Sequence, residues 1–177
     1  MSSQRPAAGT YPAYSDSYFS RIPLGADPLD LLGVQPTALH QLLGELSEAQ
    51  AGFRYAPGKW SIKQVVLHLA DAERIFAYRA LRFARADAQE LPGFDENAYA
   101  DHSAADERSL VSLLQEYAAV RQATLTLFGS FSAEQLDRPG RANGNPASAR
   151  ALLYLIAGHE AHHLAVLAER YLPLLTA

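Results

Sequence analysis

The sequence contains no cysteine, one methionine and a single tryptophan, Trp60. The lack of cysteine excludes disulfides, iron–sulfur clusters, thiolate zinc sites and a cysteine nucleophile. Charged residues make up only 19% of the chain, the formal net charge is −4, and no run of basic residues occurs. Nucleic acid is therefore not expected as a partner, and a protein without thiols fits a reducing cytoplasm.

Long hydrophobic runs are also missing. The longest uninterrupted apolar stretches, such as 151–157, are far shorter than the roughly 20 residues that a membrane span needs. Residues 1–23 lack the apolar core of a signal peptide. We therefore expect a cytoplasmic protein that acts on a small molecule and binds no membrane. The length of 177 residues fits one domain, predicted over 24–177 and preceded by an N-terminal arm over 1–23.

The spacing of apolar residues predicts four amphipathic helices and no strand. The predicted helices cover about 36–48, 61–86, 103–128 and 145–171. This pattern is typical of an all-α four-helix bundle, with the long connection 87–103 between the second and third helices. The tyrosines of the extended arm suggest that part of it packs against the bundle.

Capping residues set the predicted helix boundaries. Ser61 and Gln64 form a capping box at the start of the second helix, and Ser103 is the expected cap of the third. Asn145 followed by Pro146 predicts the start of the fourth helix, and Pro173 its end.

Three histidines are candidates for one metal site. His159 and His163 are four residues apart, so they share one face of the last helix, which also carries core residues. His68 is the one histidine centred on the inner face of another long helix. It lies about 10 Å into that helix, and His163 lies about 12 Å from the end of its own. If the two helices are antiparallel neighbours, all three imidazoles lie at one level and leave coordination positions open.

Two other interpretations of these histidines stay open. They could be three buried, hydrogen-bonded imidazoles without an ion. Alternatively, His159, Glu160 and His163 satisfy the H-E-x-x-H pattern of zinc peptidases, in which the glutamate is the general base. The small helical domain, without a sheet or a substrate cleft, disfavours the peptidase.

The chain resembles the DinB-like superfamily, in particular its YfiT-type branch of metal-dependent hydrolases and thiol S-transferases. The resemblance covers roughly 18–171. Its specific feature is the W-S-x(6)-H segment combined with the terminal H-x(3)-H. The matching stretches are YAPGKWSIKQVVLHLADAERIFAYRALR (55–82), LPGFDENAY (91–99) and AGHEAHHL (157–164).

The resemblance implies an up-down-down-up four-helix bundle, which often forms a homodimer. It also implies a divalent metal, most often nickel or zinc, held by His68, His159 and His163. In that course the connection 87–103 returns to the metal end of the bundle. This makes Asp95, Tyr99 and His102 candidates for facing the substrate, although each could be an ordinary loop residue, and His102 could be a fourth ligand.

Several neighbouring side chains have two possible roles. Trp60 could be a hydrophobic staple or a wall of the site, and His162 points to a helix flank. Asp71 and Glu73 could orient His68 or be surface charges. A partly aligned basic stripe could pair with carboxylates or hold an anionic thiol cofactor; its members are Arg74, Arg79, Arg82 and Arg85.

Two functions follow from these residues. The first is a metal-dependent enzyme whose nucleophile is water or a low-molecular-weight thiol cosubstrate, because the chain offers no thiol of its own. The resemblance favours thiol S-transfer over hydrolysis. The alternative is a non-catalytic stress or interaction protein in which the metal is structural and a fourth ligand closes its coordination.

Overall fold

The computed structural model describes residues 3–175, and most of them are helical. The four long helices are α2 (Pro28–Leu43), α4 (Ile62–Ala84), α6 (Leu110–Gly129) and α8 (Ala149–Val166). The short helices are α1 (Asp16–Phe19), α3 (Glu48–Ala51), α5 (Glu96–His102), α7 (Ala133–Asp137) and α9 (Leu172–Leu175). Single turns of 3₁₀-helix occupy Ala13–Ser15 and Ala105–Glu107, and a π-helical turn, Leu167–Tyr171, joins α8 to α9.

Contacts between helix ends fix the directions of the four long helices. The Tyr171 hydroxyl donates to the Trp60 carbonyl at 2.8 Å, so the chain leaving α8 lies beside the start of α4. Glu48 follows α2, and it accepts from Leu110 N at 3.0 Å and pairs with Lys63 Nζ at 2.6 Å. Helices α4 and α6 therefore both start at the end where α2 and α8 finish. This confirms the predicted up-down-down-up four-helix bundle.

The first long helix starts earlier than predicted. Asp27 caps it by accepting from Leu29 N at 2.9 Å, and Pro36 lies inside the helix rather than in its first turn. A proline in a helix leaves one carbonyl without its usual amide donor, here that of Leu32. The guanidinium of Arg121 supplies a replacement by donating to Leu32 O at 2.9 Å. A tertiary contact thus compensates for the break that the sequence predicts.

The connection after α4 contains more structure than predicted. Ser61 and Gln64 form the expected capping box, but the third long helix starts at Leu110 with Ser109 as its cap. Ser103 instead ends α5, and Ala104 follows with a φ of 50°. This left-handed residue interrupts the helical path, so the prediction of one helix from 103 onward was wrong.

A small hairpin stands where the sequence predicts no strand. Strands β1 (Pro139–Ala142) and β2 (Asn145–Ser148) are antiparallel, and Asn143 and Gly144 between them both have positive φ. That combination is the I′ turn that asparagine–glycine pairs favour. Pro146 therefore lies in β2, and Ser148 caps α8. Four-residue strands are too short to show an alternating pattern, which is why the prediction failed.

The last helical segment is both long and apolar. By length and composition alone, Ala149–Leu175 could cross a membrane, but 61% of the relevant window is buried inside the protein. Such burial is typical of a core helix. Pro173 lies within α9 and does not end the helical path at Tyr171, contrary to the prediction, because a π-helical turn precedes it.

Two apolar clusters form the core, and a polar layer separates them along the bundle. One cluster contains Leu32, Phe76, Phe128 and Leu152, and the other contains Leu39, Leu69, Leu113 and Leu167. Each long helix passes from one cluster to the other through polar residues, namely Gln35, Glu73, Arg121 and the stretch 159–163. The candidate site lies in this layer.

The N-terminal arm packs onto the bundle, as its tyrosines suggest. Phe19 and Ile22 are both only 2% exposed and belong to the first apolar cluster. Arg5 Nη2 donates to the carbonyls of both residues, at 3.1 and 2.7 Å. The arm therefore forms part of the wall around the polar layer.

Candidate metal centre

The three predicted histidines meet at one point between α4 and α8. His159 Nε2 lies 3.0 Å from His68 Nε2 and 3.1 Å from His163 Nε2. The three potential ligand atoms all lie within 4.8 Å of one another. We call His68, His159 and His163 the histidine cluster. The antiparallel arrangement of α4 and α8 brings them to one level, as the depth comparison requires.

This geometry fits a metal ion. Two nitrogens that each lie about 2.0–2.1 Å from one ion are about 3.0–3.4 Å apart, depending on the ligand angle. The observed spacings fall in that range. The only hydrogen-bonding option visible for these Nε2 atoms is with one another, and His163 Nδ1 is buried without a partner among the described residues. Converging, poorly satisfied nitrogens are unusual in a core and suit a ligand.

The surroundings keep the three imidazoles neutral. Burial lowers the pKa of His68 to about 4 and is the main cause that lowers the pKa of His163 to about 3. Burial also lowers the pKa of His159 well below its ordinary value, and the neighbouring histidines add to that effect. Neutral imidazole is the form that binds metal ions, so the site needs no deprotonation near pH 7.

A cavity of about 440 Å³ lies next to the histidine cluster. The bundle contributes apolar side chains to its wall, including Phe76, Leu152 and Leu155. Other parts of the wall come from the arm, from the connection before α5 and the start of that helix, and from the hairpin, namely Pro12, Tyr14, Tyr18, Phe94, Glu96, Ala142, Asn143, Pro146 and Ala147. A small molecule in this cavity would lie directly against the histidines.

Aromatic rings fix the histidines from two sides. The Trp60 ring centroid is 4.7 Å from that of His68, and the Tyr18 ring packs edge-on against His159 at 5.5 Å. Gly158 allows this approach, because a Cβ at that position would collide with the backbone of Tyr18. Trp60 thus forms a wall of the site, one of the two roles considered for it. His162 is partly buried and also lines the cavity.

The structure does not bring the substrate-facing candidates into the cavity. Asp95 caps α5 by accepting from Asn97 N at 2.9 Å, and Tyr99 packs against Phe94 with ring centroids 5.3 Å apart. His102 is exposed, and its Nδ1 lies 2.8 Å from the Ala98 carbonyl. The connection does return to the metal end, but Phe94 and Glu96 are the residues that line the cavity.

The acidic residues on α4 do not orient His68. Asp71 pairs with Arg74 at 3.2 Å, and the Glu73 carboxylate pairs with Arg121 through two hydrogen bonds of 2.9 and 2.8 Å. Each carboxylate is paired with an arginine, and within the described part of the chain neither forms a hydrogen bond with His68. The suggestion that they orient this imidazole was wrong.

The four arginines of the predicted basic stripe have different roles. Arg74 and Arg82 form ion pairs, with Glu116 and Asp87 among their partners. Arg85 is exposed and lies over the Phe131 ring, with Cζ 5.8 Å from its centroid. Arg79 is the member that lines the cavity.

Glu160 is not placed to act as a peptidase base. Its carboxylate is 1% exposed and accepts from Tyr117 and Arg121, so it faces α6 rather than the histidine cluster. Burial raises the pKa of Glu160, whereas Arg121 opposes that shift. The H-E-x-x-H interpretation therefore does not describe this site.

Much of the cavity wall could not be predicted from the sequence. The arm residues Tyr14 and Tyr18 carry no periodic signal, and the hairpin residues are hidden in a turn-rich stretch. The one available signal for the hairpin was the asparagine–glycine pair at 143–144.

Comparison with known proteins places the chain in a family. The family model of the DinB superfamily matches residues 31–167. The chain belongs to the DinB superfamily. A curated relative from Oceanobacillus iheyensis is 29% identical over 133 residues, which cover 72% of this chain and 73% of the relative. That relative is provisionally described as a metal-dependent hydrolase.

A solved structure shares the fold of this DinB-superfamily chain. YfiT from Bacillus subtilis superposes with a TM-score of 0.74 at 19% sequence identity, covering 97% of this chain and 93% of YfiT. YfiT is described as a probable metal-dependent hydrolase with an unusual four-helix bundle topology. At this identity the likeness establishes the fold, and the up-down-down-up course of this chain agrees with it.

Proposed function

We propose that this protein is a divalent-metal-dependent enzyme, most simply a hydrolase, that acts on a small molecule bound in the cavity. The observation that carries this proposal is the convergence of three neutral imidazole nitrogens beside a cavity of about 440 Å³. The descriptions of the Oceanobacillus relative and of YfiT as metal-dependent hydrolases support it.

The chain's own residues prepare the site in three ways. His68, His159 and His163 would hold the ion, and their nitrogens are neutral at pH 7. Such an ion, nickel or zinc for example, would act as a Lewis acid and would lower the pKa of a bound water or thiol. Trp60 and Tyr18 pack against the imidazoles, and Phe76, Leu152 and Leu155 give the cavity an apolar wall for the substrate.

Thiol S-transfer is the second candidate function, and a second cavity favours it. This cavity has a volume of about 320 Å³ and shares Trp60, His162 and His163 with the first. Its wall also carries the cations Lys59 and Arg170. An anionic thiol cosubstrate could therefore approach the histidine cluster from one cavity while its acceptor occupies the other.

A purely structural metal is less consistent with this site. Within residues 3–175, no further histidine, aspartate or glutamate joins the three histidines in one potential metal-binding group. A structural zinc site usually has four protein ligands, whereas a catalytic one keeps an open position. The cavity of about 440 Å³ is lined by all three histidines, so a molecule bound there could reach an ion that they would hold.

The test combines metal analysis with an activity screen. Purified protein is analysed for bound metals and assayed with ester and amide substrates and with thiols plus electrophilic acceptors. His68→Ala should lose both the metal and the activity, whereas His40→Ala, an exposed control on α2, should keep both. Turnover that persists in metal-free protein, or full metal content in His68→Ala, would refute the proposal.

A further inference from the structure

Arg79 is a buried cation that the proposed metal chemistry does not use. It is 7% exposed, and it lines the cavity beside Phe76 and Phe94. The Phe76 ring is close to both Arg79 and the histidine cluster: its centroid is 5.9 Å from Arg79 Cζ and 6.2 Å from the His159 ring centroid. A molecule of modest length could therefore contact Arg79 and the histidine cluster at the same time.

No carboxylate neutralises Arg79 within the described part of the chain. Its one hydrogen bond there runs from Nη2 to the Pro92 carbonyl at 2.7 Å, which leaves Nη1 and Nε available. The guanidinium of Arg121, in the same core, pairs with two glutamates. Burying an arginine without a counterion is costly, and burial accordingly lowers the pKa of Arg79. This free-energy cost suggests that the positive charge of Arg79 is retained to bind a ligand.

The arm provides a second polar group at this end of the cavity. Tyr14 lines the cavity and interacts electrostatically with Arg79. Glu96 is the one carboxylate in the described cavity wall, and its charge acts on Tyr14 and Tyr18. This end therefore offers one guanidinium and one phenol hydroxyl as donors, with an acidic group nearby.

We propose that Arg79 binds the carboxylate of a small monoanionic substrate, with the Tyr14 hydroxyl as a second donor. This inference rests on the proposed function, because it assigns the substrate class of the same site. A guanidinium and one hydroxyl match the two oxygens of a carboxylate. The Glu96 charge disfavours a dianionic phosphate, and Phe76, Phe94 and Leu152 suit an apolar body between the carboxylate and the reacting group.

The experiment measures a preference among matched probes on the zinc-loaded protein. Ligand-detected NMR gives the affinities of 4-phenylbutyrate, its amide and the corresponding phosphate monoester. We expect the carboxylate to bind about 10-fold or more tightly than the amide, since a charge-assisted hydrogen bond is lost in the amide. The phosphate ester should bind more weakly than the carboxylate. Equal affinities for carboxylate and amide would overturn the inference.

Substitutions at Arg79 separate anion binding from a structural role. Arg79→Gln keeps a donor for the Pro92 carbonyl, so it should remain folded by circular dichroism but lose the carboxylate preference. Arg79→Lys should retain part of that preference, and Tyr14→Phe should reduce it by a smaller factor. Arg85→Gln, at the exposed C-cap of the same helix, should leave that preference unchanged. A purely structural Arg79 would weaken carboxylate and amide alike.

Repeating the titrations on metal-free protein keeps this inference separate from the proposed function. A carboxylate preference that survives Arg79→Gln but disappears with the metal would mean that the ion binds the carboxylate. That result would overturn the inference and leave the metal site intact. If no metal binds while the preference persists and depends on Arg79, the proposed function fails and the anion site stands.

Discussion

Two polar clusters occupy the same layer of this bundle and satisfy their hydrogen-bonding groups very differently. The arginine network comprises Arg121, Glu73, Glu160, Tyr117 and Gln35, in which Arg121 donates to both glutamates and to the Leu32 carbonyl. In the histidine cluster, by contrast, the imidazoles form hydrogen-bonding contacts only with one another among the described residues. His159 and Glu160 are adjacent in sequence, yet they belong to different clusters on different sides of α8.

The difference shows which buried polar groups serve the fold and which are available to a ligand. A network whose donors and acceptors are all paired joins α2, α4, α6 and α8, and it has little left to offer a ligand. Three neutral nitrogens that face one point beside a cavity do little for the fold but form a ligand set. Burial alone does not distinguish the two clusters, because His159 and Glu160 are both buried.

The largest expected effect comes from breaking the arginine network. Arg121→Met leaves Glu73 and Glu160 as buried carboxylates without a counterion, which should lower the free energy of unfolding by about 3–5 kcal/mol. Urea denaturation measures this loss. Arg74→Met, which removes a partly exposed pair from α4, should cost less than about 1 kcal/mol. Similar losses in the two variants would contradict the structural role of the network.

Removing one member of the histidine cluster should affect metal binding far more than stability. His159→Ala removes the nitrogen that both other imidazoles contact. We therefore expect metal affinity to fall by more than about 100-fold, which exceeds the usual effect of mutating a residue that only hydrogen-bonds to a metal ligand. Metal content after dialysis measures it. His162→Ala, three residues along the same helix, is the matched control and should retain its metal. Full metal stoichiometry in His159→Ala would disprove the assignment.

Acidification should destabilise the metal-free protein through the histidine cluster. The pKa of His68 is about 4 and that of His163 about 3 when folded, below their ordinary values. The unfolded chain therefore binds more protons between pH 6.5 and 4, and stability falls as the pH falls through that range. Between pH 7 and 5.5 each histidine should contribute on the order of 1 kcal/mol.

Urea titrations at pH 7 and 5.5 measure this dependence. The variant His68→Asn, which cannot titrate at that position, should show a smaller pH dependence than the wild type. His40→Asn is the control at an exposed position and should behave like the wild type. If the free energy of unfolding changed equally with pH in the wild type and in His68→Asn, the cluster would not bury its imidazoles in the neutral form.

Metal removal should have the smallest effect on the fold. The arginine network and the two apolar clusters contain none of the three histidines, so chelation should leave the helical content by circular dichroism unchanged. The free energy of unfolding should fall only by the binding free energy of the lost metal, and the melting temperature should fall by the corresponding amount. Unfolding on chelation would instead indicate a structural metal.

The helices and the candidate ligands could be predicted to a large extent from the sequence. The Ser61–Gln64 capping box and the apolar periodicity of α4 predicted that helix nearly to the residue. The i, i+4 spacing of His159 and His163 placed both on one face. The hairpin and the start of α6 were missed, because both depend on one or two left-handed residues and on short segments without periodicity.

The roles of individual charges could not be predicted in the same way. Arg79 and Arg82 are both basic residues on α4, yet one lines the cavity and the other pairs with Asp87. Asp95 and Glu96 are adjacent acidic residues, of which one caps α5 and the other lines the cavity. Such differences depend on which distant segment lies opposite each side chain.

The sequence by itself determined that this chain forms long amphipathic helices and that two histidines share one face of the last of them, because helical periodicity is a local property. Only the tertiary structure decided that His159 joins a candidate metal site while Glu160 joins a closed ionic network. It also decided that the arm and the hairpin complete the cavity. These outcomes depend on contacts between residues far apart in the chain, which no local pattern encodes.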